Sequence, residues 1–170
     1  TLVEFALRLC TARAGNTGLA FGPKTYSATD VQLAVDGLSI VILPMANPDG
    51  RNFCLVGGGN PMWRKNRARN TGLPCRGVDL NRNTAFLWGS GIGTSADSCS
   101  DVFKGPSAFS EPETRNVRWL IDSFPGLACM VDVHSYSELV LYPWGDDQNQ
   151  STDPNQNFHP VRLVFSSFSI

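Results

Sequence analysis

Apolar residues recur at helical spacing in two parts of the chain, one at its start and one in its second half. The first set falls on one helical face and is followed by Gly15: Leu2, Phe5, Ala6, Leu9 and Cys10. The second set follows Ser110 and Glu113, which have the spacing of a capping box: Val117, Leu120, Ile121 and Phe124. We predict one helix from Leu2 to about Gly15 and another over 111–124, ended by Pro125-Gly126.

Three short apolar runs lack the alternation of a half-exposed strand. They are 38–43 (LSIVIL), 127–133 (LACMVDV) and 139–142 (LVLY), all with β-branched residues. Such runs are typical of strands buried on both faces. Strand, helix and strand in this order predict an α/β fold, a mostly parallel or mixed sheet with flanking helices.

The remaining segments have the composition of loops and turns. We predict a polar, Gly-rich loop over 15–29 and a turn at Asn47-Pro48-Asp49-Gly50. A long irregular stretch then runs from Arg51 to about Pro106, and the aromatic residues within it argue against disorder. The last segment, 161–170, is apolar again after a polar loop and has no assigned place.

Composition limits the classes of function. The chain has 170 residues, 42% of them hydrophobic and 17% charged, which is enough for one packed domain. Its net charge of −1 disfavours a nucleic-acid or membrane-surface binder, and we expect a monomer that binds neither. The charge is nevertheless uneven, because the segment from Arg51 to Asn83 contains seven basic residues and one acidic residue. That stretch is either a solvated surface or an anion pocket.

The five cysteines contain no C-x-x-C pair, which weakens a zinc-knuckle interpretation. An odd count is compatible with two disulfides and a free thiol, with a missing partner cysteine, or with buried free thiols. The five cysteines, the low charge and the many Gly, Pro, Ser and Asn residues together favour an exported protein.

Three places carry candidate chemistry. His134 follows a predicted strand, where ligands bind in open α/β sheets, and its imidazole could ligate a metal, act as a base or only hydrogen-bond in its loop. Arg82, between two asparagines, offers a rigid fork that matches a carboxylate. Arg64, between Trp63 and Lys65, is by itself more typical of a surface patch.

Taken together and in order, five motifs resemble the zinc metallocarboxypeptidase family, to which pancreatic carboxypeptidase A belongs. They are NPDG, WRK, GVDLNRN between two cysteines, FSEPET and DVHSYSELVLYPWG. The resemblance covers about 2–145. It implies that residues 1–170 are part of an α/β catalytic domain, incomplete at both ends and with a tail of uncertain identity over 146–170.

The resemblance implies a secreted, zinc-dependent exopeptidase that hydrolyses the C-terminal peptide bond of peptides and proteins. In this interpretation His134 is a zinc ligand and Arg64 polarises the scissile carbonyl and stabilises the oxyanion. Asn81 and Arg82 bind the free C-terminal carboxylate, and Tyr136 lines the cleft. The resemblance also implies a disulfide between Cys75 and Cys99.

The family takes its other two zinc ligands from an H-x-x-E motif, which we expect upstream of Thr1, and its general-base Glu beyond Ile170. The second histidine, His159, matches no ligand position and is expected to be structural or solvated. The chain alone is therefore expected to be inactive. The alternative is a non-catalytic module that binds peptide C-termini, and nucleic-acid binding through 63–70 is disfavoured by the acidic remainder of the chain.

Overall fold

The computed structural model describes residues 2–56 and 59–134. These residues form two compact units, the first within 2–45 and the second from 46 onward. The first unit contains α1 (Leu2–Gly15), β1 (Leu19–Phe21), β2 (Lys24–Tyr26) and α2 (Ala28–Gly37). The second contains α3 (Pro48–Leu55), one turn of 3-10 helix (Leu80–Arg82) and α4 (Pro112–Asp122). None of the helices in the described ranges is long and apolar enough to cross a membrane.

The first unit confirms the predicted N-terminal helix but not the loop predicted after it. β1 and β2 form an antiparallel hairpin in which Leu19 faces Tyr26 and Phe21 faces Lys24. Gly22 makes the tight connection at φ +57°, a left-handed conformation that glycine adopts without strain. The loop prediction for 15–29 was wrong because hairpin and helix starts share the glycines and polar residues that mark loops.

A second helix, α2, begins within the same segment and was not predicted. Ser27 caps it: the Ser27 hydroxyl accepts from the Asp30 amide at 3.1 Å, and the Asp30 carboxylate accepts from the Ser27 amide at 2.8 Å. Arg13 of α1 and Asp36 of α2 form an ion pair at 2.8 Å. Val31 and Ala12 supply the buried apolar side chains of this unit.

Two of the predicted strands are not hydrogen-bonded strands in the structure. Residues 38–43 and 127–133 form no helix and pair with no strand in the described parts of the chain, and most of their large apolar side chains are exposed. A strand requires a neighbour to satisfy its backbone groups, which the apolar pattern of one segment cannot supply. The third predicted strand, 139–142, lies outside the described residues.

The predicted turn at Asn47-Pro48-Asp49-Gly50 is instead the start of α3. Pro48 occupies a first-turn position, where its missing N–H costs no hydrogen bond. The Asn47 side chain accepts from the Gly50 amide at 3.0 Å and donates to the Lys65 carbonyl at 3.2 Å. One side chain therefore caps α3 and ties it to the segment that follows Trp63.

Most of the long stretch after α3 is irregular, as predicted, and it encloses a small set of buried residues. Val78, Leu80 and Phe103 form its apolar core, and Asn66, Asn83 and Thr114 are also fully buried. Buried polar side chains of this kind are stable only when hydrogen-bonded. Asn66 and Asn83 meet this requirement by bonding to the main chain, Asn66 Oδ1 to the Val78 amide and Asn83 Nδ2 to the Lys104 carbonyl.

Helix α4 confirms the second predicted helix, starting at Pro112 and ending at Asp122, but not its predicted cap. Glu111 occupies the N-cap position without a side-chain capping bond. The Ser110 hydroxyl donates instead to the Glu111 carboxylate at 2.7 Å. The capping box was wrong because both members of the pair are engaged in contacts with other segments.

Candidate functional site

The 3-10 turn presents Asn81 and Arg82 from a rigid base. Asp79 precedes it, and the Asp79 carboxylate accepts from the Asn81 amide at 3.1 Å. The Arg82 side chain donates from Nε to the Gly93 carbonyl at 2.7 Å and from Nη1 to the Asn81 carbonyl at 3.1 Å. The Arg82 guanidinium is thus fixed against two main-chain segments.

Arg64 lies on a second segment, whose orientation is set by its neighbours. Lys65 is buried, and its Nζ donates to the Ser98 carbonyl at 2.7 Å. Trp63 donates from Nε1 to the Asn66 carbonyl at 3.1 Å. Since Lys65 and Asn66 are anchored in the interior, Arg64 remains exposed at the surface of the same unit.

The charges of these two arginines act on His134. Although His134 is exposed by more than a third, surrounding protein atoms partly withdraw its imidazole from water, and this lowers its pKa. The positive charges of Arg64 and then Arg82 lower the pKa of His134 further. Burial and the two guanidinium charges therefore all favour the neutral form of the imidazole.

Asp79 is a buried carboxyl group in the same region and was not singled out by the sequence. Burial raises the pKa of Asp79, while the charges of Arg82 and Arg64 and the Asn81 amide oppose the shift. Its Oδ2 is buried and has no hydrogen-bond partner in the described residues. The candidate site thus combines two cations, an imidazole whose neutral form is favoured, and the Asp79 carboxyl group, whose Oδ2 has no hydrogen-bond partner in the described residues.

The sequence left open whether the basic residues over 51–83 form a solvated surface or an anion pocket, and the structure shows that they do not all behave alike. The charges of Arg64 and Arg82 both lower the pKa of His134. Arg51, Arg69 and Arg76 are exposed, as Arg64 is, but do not contribute to that shift. Arg67 stacks on the ring of Phe53, with 3.7 Å between its guanidinium carbon and the ring centroid. Two members of the basic stretch therefore act electrostatically on His134, and the others listed here are surface or packing residues.

The structure contains the disulfide that the resemblance implies. Cys75 and Cys99 are bonded, with their Cα atoms 4.9 Å apart. Cys10, Cys54 and Cys129 are free thiols in the described parts of the chain. The disulfide joins the segment before Asp79 to the segment of Ser98, whose carbonyl accepts a hydrogen bond from Lys65 Nζ.

Tyr136, a candidate site residue, and His159, which was expected to be structural or solvated, lie outside the described residues. Within 2–56 and 59–134, no three metal-ligating side chains come together in a group that could hold a metal ion. A catalytic zinc site requires three protein ligands, so His134 fits one position of such a site and the described residues do not complete it.

The irregular, disulfide-tied segments thus carry an exposed cation, Arg64, and a hydrogen-bonded one, Arg82, and both lower the pKa of His134. A family model described as zinc carboxypeptidase matches residues 23–168. Carboxypeptidase B of Helicoverpa zea is 43% identical over 131 residues, which are 75% of this chain and 30% of that protein. Carboxypeptidase A4 of Mus musculus is 38% identical over 133 residues, which are 78% of this chain and 30% of that protein.

Solved structures of carboxypeptidase folds also match this chain. The carboxypeptidase A of Helicoverpa armigera matches with a TM-score of 0.59 and 43% identity, over 68% of this chain and 27% of that one. Bovine thrombin-activatable fibrinolysis inhibitor, in complex with tick carboxypeptidase inhibitor, matches with a TM-score of 0.59 and 35% identity, over 66% of this chain and 38% of that one.

The chain belongs to the zinc carboxypeptidase family. The resemblance stated from the motifs is thereby confirmed, and so is the fold class, because the structural neighbours are carboxypeptidase folds. The chain spans about 30% of the length of the curated relatives it matches.

Proposed function

We propose that this chain carries the substrate-recognising part of a zinc-dependent exopeptidase that hydrolyses the C-terminal peptide bond of peptides or proteins. The observation that carries the proposal is the Arg82 guanidinium, held by the carbonyls of Gly93 and Asn81. The lowering of the His134 pKa by the charges of Arg64 and Arg82 supports it. These residues are separated by up to 70 positions in the sequence but belong to one electrostatic environment. Family membership supports the same assignment.

The two arginines have different tasks in this proposal. Arg82, braced by its bond to Gly93, binds the terminal carboxylate with Asn81 beside it, because a guanidinium fork matches a carboxylate in two bonds. Arg64 is exposed and stabilises the oxygen on which negative charge develops during the reaction. Tyr136 is proposed to line the cleft beside the preceding substrate residues.

His134 is proposed as a ligand of the family's metal, since its neutral imidazole is the form that coordinates zinc. Zinc, when bound in such a site, supplies an activated water molecule for amide hydrolysis. Because the described residues supply only one ligand, we expect the chain as it stands to bind zinc weakly and to release no C-terminal residues. Tight stoichiometric zinc, measured by equilibrium dialysis, together with turnover would contradict this.

An extracellular location is proposed on the strength of the Cys75–Cys99 bond, because disulfides persist in oxidising compartments. The proposed ligand is a peptide with a free C-terminus, bound by a monomer. The local excess of positive charge favours its approach.

The recognition step can be tested without turnover. We expect the chain to bind an N-acetyl dipeptide with a free carboxylate more tightly than the same dipeptide amidated at its C-terminus, as measured by isothermal titration calorimetry. R82A should remove this preference, at a cost of about 1.5–3 kcal/mol for a charge-assisted contact. R82K should keep part of it, because lysine retains the charge but not the fork.

R76A is the matched control, since Arg76 is an exposed cation of the same basic stretch. It should bind the carboxylate peptide as the unmodified chain does. Equal affinity for the free and amidated dipeptides would overturn the proposal. Carboxylate recognition that persists when a longer form, which supplies the other zinc ligands, still shows no hydrolysis would favour a non-catalytic binding module.

A further inference from the structure

The start of α4 joins the two segments that carry the arginines. Glu111, which is only 6% exposed, accepts from Asn66 Nδ2 at 2.7 Å through its carboxylate. Its main-chain amide donates to Asn83 Oδ1 at 3.2 Å. Asn66 lies two residues after Arg64, and Asn83 directly follows Arg82, so Glu111 contacts both segments at once.

Each asparagine in turn fixes the main chain around it. Asn66 Oδ1 accepts from the Val78 amide at 2.8 Å, and the Asn66 amide donates to the Val78 carbonyl at 2.9 Å. Asn83 Nδ2 donates to the carbonyls of Lys104 at 2.9 Å and Ser107 at 3.0 Å. Both asparagines are fully buried, so neither can replace a lost partner with bulk water.

A buried carboxylate is costly unless it is well hydrogen-bonded, so its presence here requires an explanation. Glu111 receives a hydroxyl donor from Ser110 and an amide donor from Asn66, and it occupies the N-cap of α4, where the helix dipole favours negative charge. The nearby carboxylate of Glu113 also accepts from Asn66 Nδ2, at 3.2 Å, but makes no hydrogen bond with Asn83 within the described residues, which makes Glu113 a natural comparison.

We infer that Glu111 is a positioning residue that holds the Arg64 and Arg82 segments in register with each other through Asn66 and Asn83. The inference adds a residue of the FSEPET motif to the site and rests on the proposed function only for its consequence in carboxylate binding. The coupling itself is a property of the structure. It can therefore be tested separately.

The first measurement is hydrogen exchange by NMR in the complete chain. The Glu111 carboxylate reaches Asn83 through the Ser110 hydroxyl, which donates to Glu111 and accepts from Asn83 Nδ2 at 2.9 Å. Because E111A removes this link and the bond to Asn66, we expect it to accelerate exchange about 10-fold or more at the Asn66 amide and at Arg82 Nε–H, which is bonded to Gly93. E113A, the matched control, should accelerate exchange only on the Asn66 side. E111Q, which retains an acceptor for Asn66, should fall between E111A and the unmodified chain at both probes.

V31A is a control for general loss of stability, because Val31 is buried in the first unit, whereas both arginine segments belong to the second. Unchanged exchange at Arg82 Nε–H in folded E111A overturns the inference. If E111A does not fold, E111Q decides, and exchange at unmodified rates on both sides overturns it.

The second measurement is the affinity for the free-carboxylate dipeptide relative to its amide. E111A should reduce this preference about 10-fold, and E111Q should restore most of it. If the unmodified chain shows no preference, the proposed function fails, while the exchange result still decides the positioning role. If the preference exists and E111A leaves it unchanged, Glu111 does not position Arg82.

Discussion

Gly77 lies where the Arg64 segment passes closest to the segment that leads into Asp79. Its φ is +82°, and a Cβ atom there would collide with the Asn66 carbonyl oxygen and come within 2.9 Å of Lys65 Cβ and 3.1 Å of Trp63 Cζ2. We expect G77A to lower the free energy of unfolding by about 3 kcal/mol or more, from the left-handed backbone and the steric overlap together.

Gly72 provides the control for this substitution. It has nearly the same φ, +79°, with open space where a Cβ would be. G72A should therefore show only the backbone cost of about 1 kcal/mol. Urea denaturation of both variants measures the difference, and equal destabilisation would mean that the close approach at Gly77 relaxes without cost.

Single residues also show where sequence patterns stop being informative. Arg64, Arg82 and His134 could be selected from motifs because their chemistry is distinctive. Asp79, Asn66 and Glu111 could not, since a polar residue in an irregular stretch has the same appearance whether it is buried or solvated. Their importance depends on partners up to 47 positions away in the chain, a separation that local patterns do not encode.

At the scale of elements, the capping box of α2 gives the structure a pH-dependent contribution to stability. The hydrogen bonds from the Ser27 side chain and then from its amide hold the pKa of Asp30 below its ordinary value of 3.8. The ionised form therefore stabilises the folded state fully above that value. This contribution is lost as the pH falls through the lower, folded-state pKa.

The prediction is tested with D30N, which keeps the side-chain size but has no charge to titrate. The unmodified chain should be more stable than D30N at about pH 6, and the gap in unfolding free energy should narrow as the pH approaches about 2. Asp36 also has a lowered pKa, held there by Arg13, but it is present in both proteins and cancels. A gap that stays constant with pH would contradict the role of Asp30.

Local signals predicted α1 and α4 but missed the β1–β2 hairpin and α2, and the apolar runs that need a distant partner did not form strands. The bounds of α1 and α4 follow from apolar spacing and terminators. Residues 38–43 and 127–133 have strand-like sequences, yet strand formation depends on a neighbouring strand. The start of α3 at Pro48 was mistaken for a turn because Asn-Pro-Asp-Gly satisfies the preferences of both a turn and a capped helix.

At the scale of the whole molecule, the Cys75–Cys99 bond restrains the irregular stretch that carries both arginines. It closes a loop with a sequence separation of 24 residues. The chain-entropy model assigns such a cross-link a stabilisation of about 3 kcal/mol. We expect the double variant C75S/C99S to lose about that much unfolding free energy in urea.

C10S is the matched control, because Cys10 is an exposed free thiol in the first unit. It should leave stability unchanged, while a reducing agent should lower the stability of the unmodified chain to that of the double variant. A double variant as stable as the unmodified chain would show that the hydrogen bonds of this stretch hold it without the cross-link.

The segment over 38–43 has a practical consequence for anyone who purifies this chain. Leu38 is 64% exposed and Ile40 46%, within six successive residues that include neither proline nor charge. Sequences of this kind stack edge to edge with copies of themselves and seed β-rich precipitates. Concentrated stocks should therefore turn cloudy on storage and stain with amyloid dyes, and a single lysine at position 40 should keep them clear.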